Sequence, residues 1–346
     1  MKSSVFAKQF AVFSLLSLVA LSLIMCFTVN EHTVNALKQT RPDYLLYVLG
    51  LCIADLVLDG FRNYFLVLGV KGRLPFWTSI RLSAMSIFMN LVTPFSVGGH
   101  PTMIYALNRN GIKTGRGTSV VITKLVTMSL FVIGGAMLSL ILYRDLITSV
   151  PALRATFLLS GILFVLLLAI GLWGILFPRM LSAVFVAFGR LLHALRIVRH
   201  PDSFKGRMLK QVLLARNSLQ HYFGKGFGCL FAAILCSCGM YMAQVSMLGV
   251  ILSGLGVSVL YVEGFALSAL LLFLISFVPT PGASGLGEAI FVVLFAGAVP
   301  RYMLGVTVLL WRIFYQYLPA SFGAFVFVRF FSRLLVKKPD GQPVRF

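Results

Sequence analysis

The sequence predicts an all-α integral membrane protein, with about six transmembrane helices and two re-entrant, broken-helix hairpins in two inverted-topology repeats. Three observations predict it. Hydrophobic residues make up 59% of the chain and charged residues only 11%, with mean hydropathy +0.95; soluble domains carry roughly 25% charged residues. Apolar runs near bilayer-spanning length recur along the chain, and nothing between them is long enough to fold as a separate soluble domain. Two of the runs are interrupted by Pro and Gly, at "NLVTPFSVGGHP" (Asn90–Pro101) and "SFVPTPGASGLGE" (Ser276–Glu288), a density that breaks helices.

The first apolar run covers 10–29 and follows Lys2 and Lys8. That imitates a signal peptide, but no small-x-small cleavage pattern precedes the polar "NEHTVNALKQTRPD", so a retained first span is expected. Further runs follow at 44–70, 78–107, 118–142, 155–177, 226–254, 258–299 and 301–331. The chain reads as one membrane domain of 1–346. Its repeats are 10–142 and 155–331, joined by the short "YRDLITSVPALR" loop. Within the second lies a basic segment, 181–225, whose apolar residues recur at helical intervals and which is expected along the inner membrane surface. A basic tail occupies 332–346.

If the broken runs 78–107 and 258–299 re-enter and the other six cross, loop charges separate by side. With the N-terminus inside, the inner segments collect Lys71, Arg73, Arg109, Lys113 and Arg116, the stretch Arg179 to Lys225, and Arg329, Arg333, Lys337 and Lys338. The outer loops keep Lys38, Arg41, Arg144, Arg154 and Arg301. This is a positive-inside pattern with both termini cytoplasmic. The same topology makes the halves inverted copies: span, span, re-entrant hairpin, span, entered from opposite sides. Breaks at matching positions of inverted repeats point to a midplane transport site. The competing reading is that the glycines only permit close helix packing.

The net charge of +21, from 30 Lys+Arg against 9 Asp+Glu, belongs to loops facing anionic lipid rather than to nucleic-acid binding. The five cysteines lie in or beside apolar runs, and Cys236-x-Cys238 lacks metal-ligand company. No metal and no cofactor is expected. Asp-rich metal motifs, a Gly-x-Ser-x-Gly elbow and a His-Glu-x-x-His pair are all missing. Ser284 has no identifiable base. No catalytic residue is assigned, and an enzyme is not the expected reading.

Charged residues inside apolar runs are candidate site residues. Asp55, Asp59 and Arg62 share one helical face by spacing, either as a structural ion pair or as a coupling group. Glu288 opens the helical arm after the second break, where a helix N-terminus stabilises a carboxylate. Lys124 and Arg312 stand in the last spans of the two halves, where both could face a cavity and offset an anionic group. Asn90 can bond backbone freed by the first break, and His100 follows Gly98-Gly99. The N–H groups around Gly98, Gly99 and Gly282 to Gly287 could bind an anion such as phosphate.

Taken together, "NLVTPFSVGGHPTMIYALNRNGI", "SFVPTPGASGLGEAIFVVLF" and "LLWRIFYQYLPASFG" resemble the membrane domain of the lysylphosphatidylglycerol synthase/flippase family, over approximately residues 10–331. Full-length members join this domain to a cytoplasmic aminoacyl-transferase, which makes the aminoacylated lipid that the membrane domain moves across the bilayer. This sequence ends at Phe346, shortly after its last apolar run, so the synthase activity is not expected to come with the resemblance. The resemblance implies a membrane-lipid partner: an anionic phospholipid or a lipid-linked phosphate. It also implies a bacterial plasma membrane and room for a homo-oligomer. The alternative reading is a membrane subunit of, or an enzyme resembling, phosphatidylglycerol lysyltransferase acting on lipid substrates, with a separately encoded transferase as partner. The site positions it carries over are Pro94, Gly98, Gly99, Pro281, Gly282, Gly285, Glu288 and Arg312. Related sequences often carry Gln where this chain has His100, which stays among the candidate substrate-binding residues with Asn90 and Lys124. A small-solute secondary transporter is the further alternative.

Overall fold

The computed structural model describes residues 42–142, 161–162, 213–214, 216–257 and 261–336. The first span 10–29, the span 155–177, most of the basic segment 181–225, Cys26 and the end of the tail lie outside the described residues. Within them the chain is helical with no strand.

The first half contains α1 (Pro42–Gly69), α2 (Phe76–Val92), α3 (Gly99–Arg109) and α4 (Thr114–Leu142). The second contains α5 (Phe227–Gly254), α6 (Tyr261–Ile275), α7 (Leu286–Phe295), α8 (Arg301–Arg312) and α9 (Leu318–Val336). Helices α1, α4 and α5 are long and apolar enough to cross a bilayer; a 28-residue helix reaches about 42 Å. Pro42 and Asp43 open α1, a residue pair suited to a helix start because Pro needs no N–H partner there and Asp faces the positive helix end. A π-helical turn, Ile313–Tyr317, joins α8 to α9, so the last span is one helical rod with a local widening.

Both hairpins break in the same way. Pro94–Ser96 and Pro281–Ala283 each form a single 3-10 turn between two helical arms. Phe95 and Ser96 in the first, and Gly282 and Ala283 in the second, have φ between 52° and 58°. Three of these four are not glycine, so the left-handed conformation is strained and held by its surroundings. The sequence match behind this is Thr-Pro-x-x-x-Gly, at Thr93–Gly98 and again at Thr280–Gly285.

The two halves interlock. Helix α1 packs on α5, its equivalent; α2 packs on α9 while α4 packs on α6; and the two breaks touch. Phe95 N–H donates to the Pro279 carbonyl at 3.4 Å. Along the α1–α5 seam Tyr44 lies beside Gly254, Asp55 bonds Gln244, Leu58 faces Gly239, Arg62 bonds Ser237, and Gly69 approaches Cys229. One number falls as the other rises, so the equivalent helices run antiparallel, as an inverted repeat requires. Among the described residues two large apolar cores result, one built mainly from α5 to α8 and one mainly from α1 to α4 with Tyr222, Leu230 and Val326. In lipid such cores hold by close packing and internal hydrogen bonds rather than by exclusion of water.

Candidate functional site

Apolar helices carry isolated polar side chains to one place. A cavity of about 300 Å³ lies where the breaks meet, lined by Asp55, Asp59 and Arg62 of α1, Asn90, Ser96 and His100 of the first hairpin, and Lys124 and Met128 of α4. Gln244 of α5, Ser276 and Gly282 of the second hairpin, and Tyr315 and Gln316 of the π turn line it too, with apolar side chains between them. Both halves and both breaks therefore contribute wall.

Asp59 is the electrostatic hub. Its Oδ1 accepts from Arg62 Nε at 3.0 Å and also from Arg62 Nη2, and its Oδ2 accepts from Lys124 Nζ at 2.8 Å. The Asp59 and Arg62 side chains are 5% and 3% exposed, and that of Lys124 is 12% exposed. The i,i+3 spacing on α1 puts Arg62 on the face of Asp59, and Arg62 Nη1 donates onward to Ser237 Oγ at 3.3 Å. Arg62 is thus buried inside the bundle. Asp55, one turn earlier, accepts from Gln244 Nε2 at 2.9 Å and takes part in no ion pair among the described residues.

The first break is held by its own polar residues. Asn90 Oδ1 accepts from Gly99 N–H at 2.7 Å, and Thr93 Oγ1 accepts from Gly98 N–H at 2.8 Å while donating to the Met89 carbonyl. These are the donors a helix start leaves free. At Gly98 an added Cβ would meet the Met89 carbonyl at 2.8 Å, so here glycine serves close packing. Pro94 starts the turn at the surface.

The second break is clamped from α8. Arg312 Nη1 donates to the Gly282 carbonyl at 2.8 Å and to Gln316 Oε1, and Nη2 to the Ala283 carbonyl at 3.1 Å. The same Nη2 pairs with Glu288 Oε2 at 2.8 Å, both side chains being wholly unexposed. Glu288 Oε2 in turn accepts from Gly285 N–H at 2.8 Å. Gly285 (φ 84°) supplies the reversal, and an added Cβ on Gly287 would lie 2.7 Å from Arg312 Nη2. Pro281 is buried at the start of the turn.

Two expectations change with this geometry. Arg312 and Glu288 do not line the cavity: Arg312 turns onto the break's carbonyls, and Glu288 caps the arm it opens. The N–H groups of Gly98, Gly99 and Gly285 are not available to an anion, because Thr93, Asn90 and Glu288 already take them. Of the other expected residues, Asp55, Asp59, Arg62, Asn90, His100, Lys124 and Gly282 reach the wall; Pro94, Gly98, Gly99, Pro281 and Gly285 shape the breaks behind it. Gln244, Gln316, Tyr315 and Ser276 were not anticipated, although lone amides within apolar helices were a visible signal.

The model of the lysylphosphatidylglycerol synthase TM region matches residues 10–323. The chain belongs to this family. A UPF0104 membrane protein of Archaeoglobus fulgidus is 24% identical over 314 residues, spanning 90% of this chain and 93% of that protein. The family match is to a membrane region, in agreement with the apolar helices, and it covers both breaks and the π turn of this lysylphosphatidylglycerol synthase TM-region protein.

Proposed function

We propose that this family member is a lipid translocase, which moves the headgroup of an anionic or aminoacylated phospholipid, or of a polyisoprenyl phosphate, through the cavity between the two breaks. The observation that carries the reading is the cavity itself: two carboxylates and two cations on one wall, at the contact of two broken hairpins, inside apolar helices. Acyl chains stay in lipid while Lys124 offsets the headgroup phosphate and Arg62 holds Asp59; Asp55 and Asp59 face an ammonium or a proton. Charges at this depth cost several kcal/mol unless paired, and the Asp59 pairings to Arg62 and Lys124 meet that cost between substrate visits. Alternating access is rocking of repeat 10–142 against repeat 155–331, around the breaks. Both termini face the cytoplasm of a bacterial-type plasma membrane, and a second copy of the chain or a separately encoded transferase are the protein partners this reading admits.

The test is headgroup movement in proteoliposomes of the purified chain, with labelled lysylphosphatidylglycerol, phosphatidylglycerol and undecaprenyl phosphate assayed separately. Protein-dependent movement of one lipid, lost on Lys124→Met, is the expected result. No movement of any lipid rejects the reading. Formation of a modified lipid would instead identify a membrane enzyme, and solute-dependent current without labelled lipid a small-solute transporter.

A further inference from the structure

Asp55 stands apart from the other charges of the cavity. Its Oδ1 has the Gln244 amide, and its Oδ2 has no hydrogen-bond partner and no cation among the described residues. The groups around it are Cys52, Asp59 and Arg62 on the same helix, Gln244 from α5, Lys124 from α4 and Tyr315 from the π turn, with His100 from α3 lining the same cavity. Both nearby cations are engaged by Asp59, which takes one on each oxygen.

With both carboxylates ionised and His100 neutral, two negative charges face two positive ones and the wall is neutral. An anionic headgroup drawn to Lys124 leaves one negative charge in excess, in a space with few groups to screen it. Asp59 keeps Arg62, so the uncompensated charge falls on Asp55, the carboxylate with no partner cation. Intramembrane acids so placed relay protons.

We infer that the cavity takes up an anionic headgroup together with one proton, carried on Asp55 Oδ2, and releases both on the other side. This rests on the translocase reading and adds its energy source: the proton enters from the water on the loading side, binds Asp55 without any covalent change in the lipid, and leaves when the headgroup leaves. The pH gradient then drives the lipid toward the alkaline side, with no net charge moved per headgroup.

The experiment uses the full chain in proteoliposomes with trapped pyranine, labelled phosphatidylglycerol, and voltage clamped by valinomycin in symmetric potassium. The wild type is expected to move lipid faster under an imposed pH gradient, to slow several-fold when nigericin collapses it, and to acidify the lumen only when phosphatidylglycerol is present. Asp55→Asn should lose the lipid-dependent acidification and Asp55→Glu should retain it. Lipid movement by the wild type that is indifferent to nigericin overturns the inference while leaving the translocase reading intact; so does acidification that persists in Asp55→Asn, or is lost in both variants while their lipid movement continues. Movement no faster than in protein-free liposomes removes the translocase reading itself.

Discussion

Arg312 and Glu288 meet at 2.8 Å with neither side chain exposed, and the guanidinium that holds the carboxylate also holds the Gly282 and Ala283 carbonyls. A single side chain of α8 thereby fixes the second break. The buried pair is a constraint on backbone shape, since its Coulomb gain is largely offset by desolvation.

Removing one partner should be costly. Arg312→Ala leaves a buried carboxylate without its cation and the Ala283 carbonyl without its donor, while Gly282 keeps the Gln316 amide at 3.2 Å, and is expected to destabilise by about 3–5 kcal/mol. The double variant Arg312→Met with Glu288→Gln should lose less, because no buried charge is left alone. Thermal unfolding of the purified variants in detergent checks the order.

Gly287→Ala tests the same clamp without touching a charge. Its methyl group would fall 2.7 Å from Arg312 Nη2, displacing the guanidinium from the break. The expected cost is about 1–3 kcal/mol, typical of overpacking, and Gly297→Ala, in open space on the chain beyond α7, is the control.

At the first break, Asn90→Ala frees the Gly99 N–H and Thr93→Val frees the Gly98 N–H. Each should cost about 1–3 kcal/mol, the penalty for an unsatisfied buried donor. The two together should fall short of additivity, since both groups fix one helix start. The same unfolding measurement applies.

Lys124→Met leaves Asp59 with Arg62 alone and takes away the more exposed cation of the wall. Binding of an anionic headgroup should weaken about 10-fold or more, equivalent to about 1.4 kcal/mol. Titrating phosphatidylglycerol nanodiscs against the detergent-exchanged variants measures it; an unchanged affinity would remove Lys124 from the binding wall.

Much of the architecture was written in composition and spacing. The run 44–70 became Pro42–Gly69 and 226–254 became Phe227–Gly254, because length and hydropathy suffice to mark a span. The breaks were legible from Pro and Gly, although the shared Thr-Pro-x-x-x-Gly was a sharper signal than the density that drew attention. The orientation of side chains was not legible. Arg312 and Lys124 occupy comparable places in the two halves, yet one turns onto backbone carbonyls and the other onto a cavity wall. That difference depends on helix rotation and on the carbonyls exposed by the Gly282–Ala283 reversal, which no spacing encodes. The 65-residue separation of Lys124 from Asp59 likewise has no local signature, whereas the three-residue spacing of Asp59 and Arg62 does.

The claim that matters most is that the cavity between the breaks is the headgroup's route. Ser276 exposes its side chain on that wall, so Ser276→Cys in a background without the native cysteines, modified by a bulky methanethiosulfonate, tests it directly. Complete modification should stop headgroup movement, and reduction should restore it. An unchanged rate at full modification would contradict that claim.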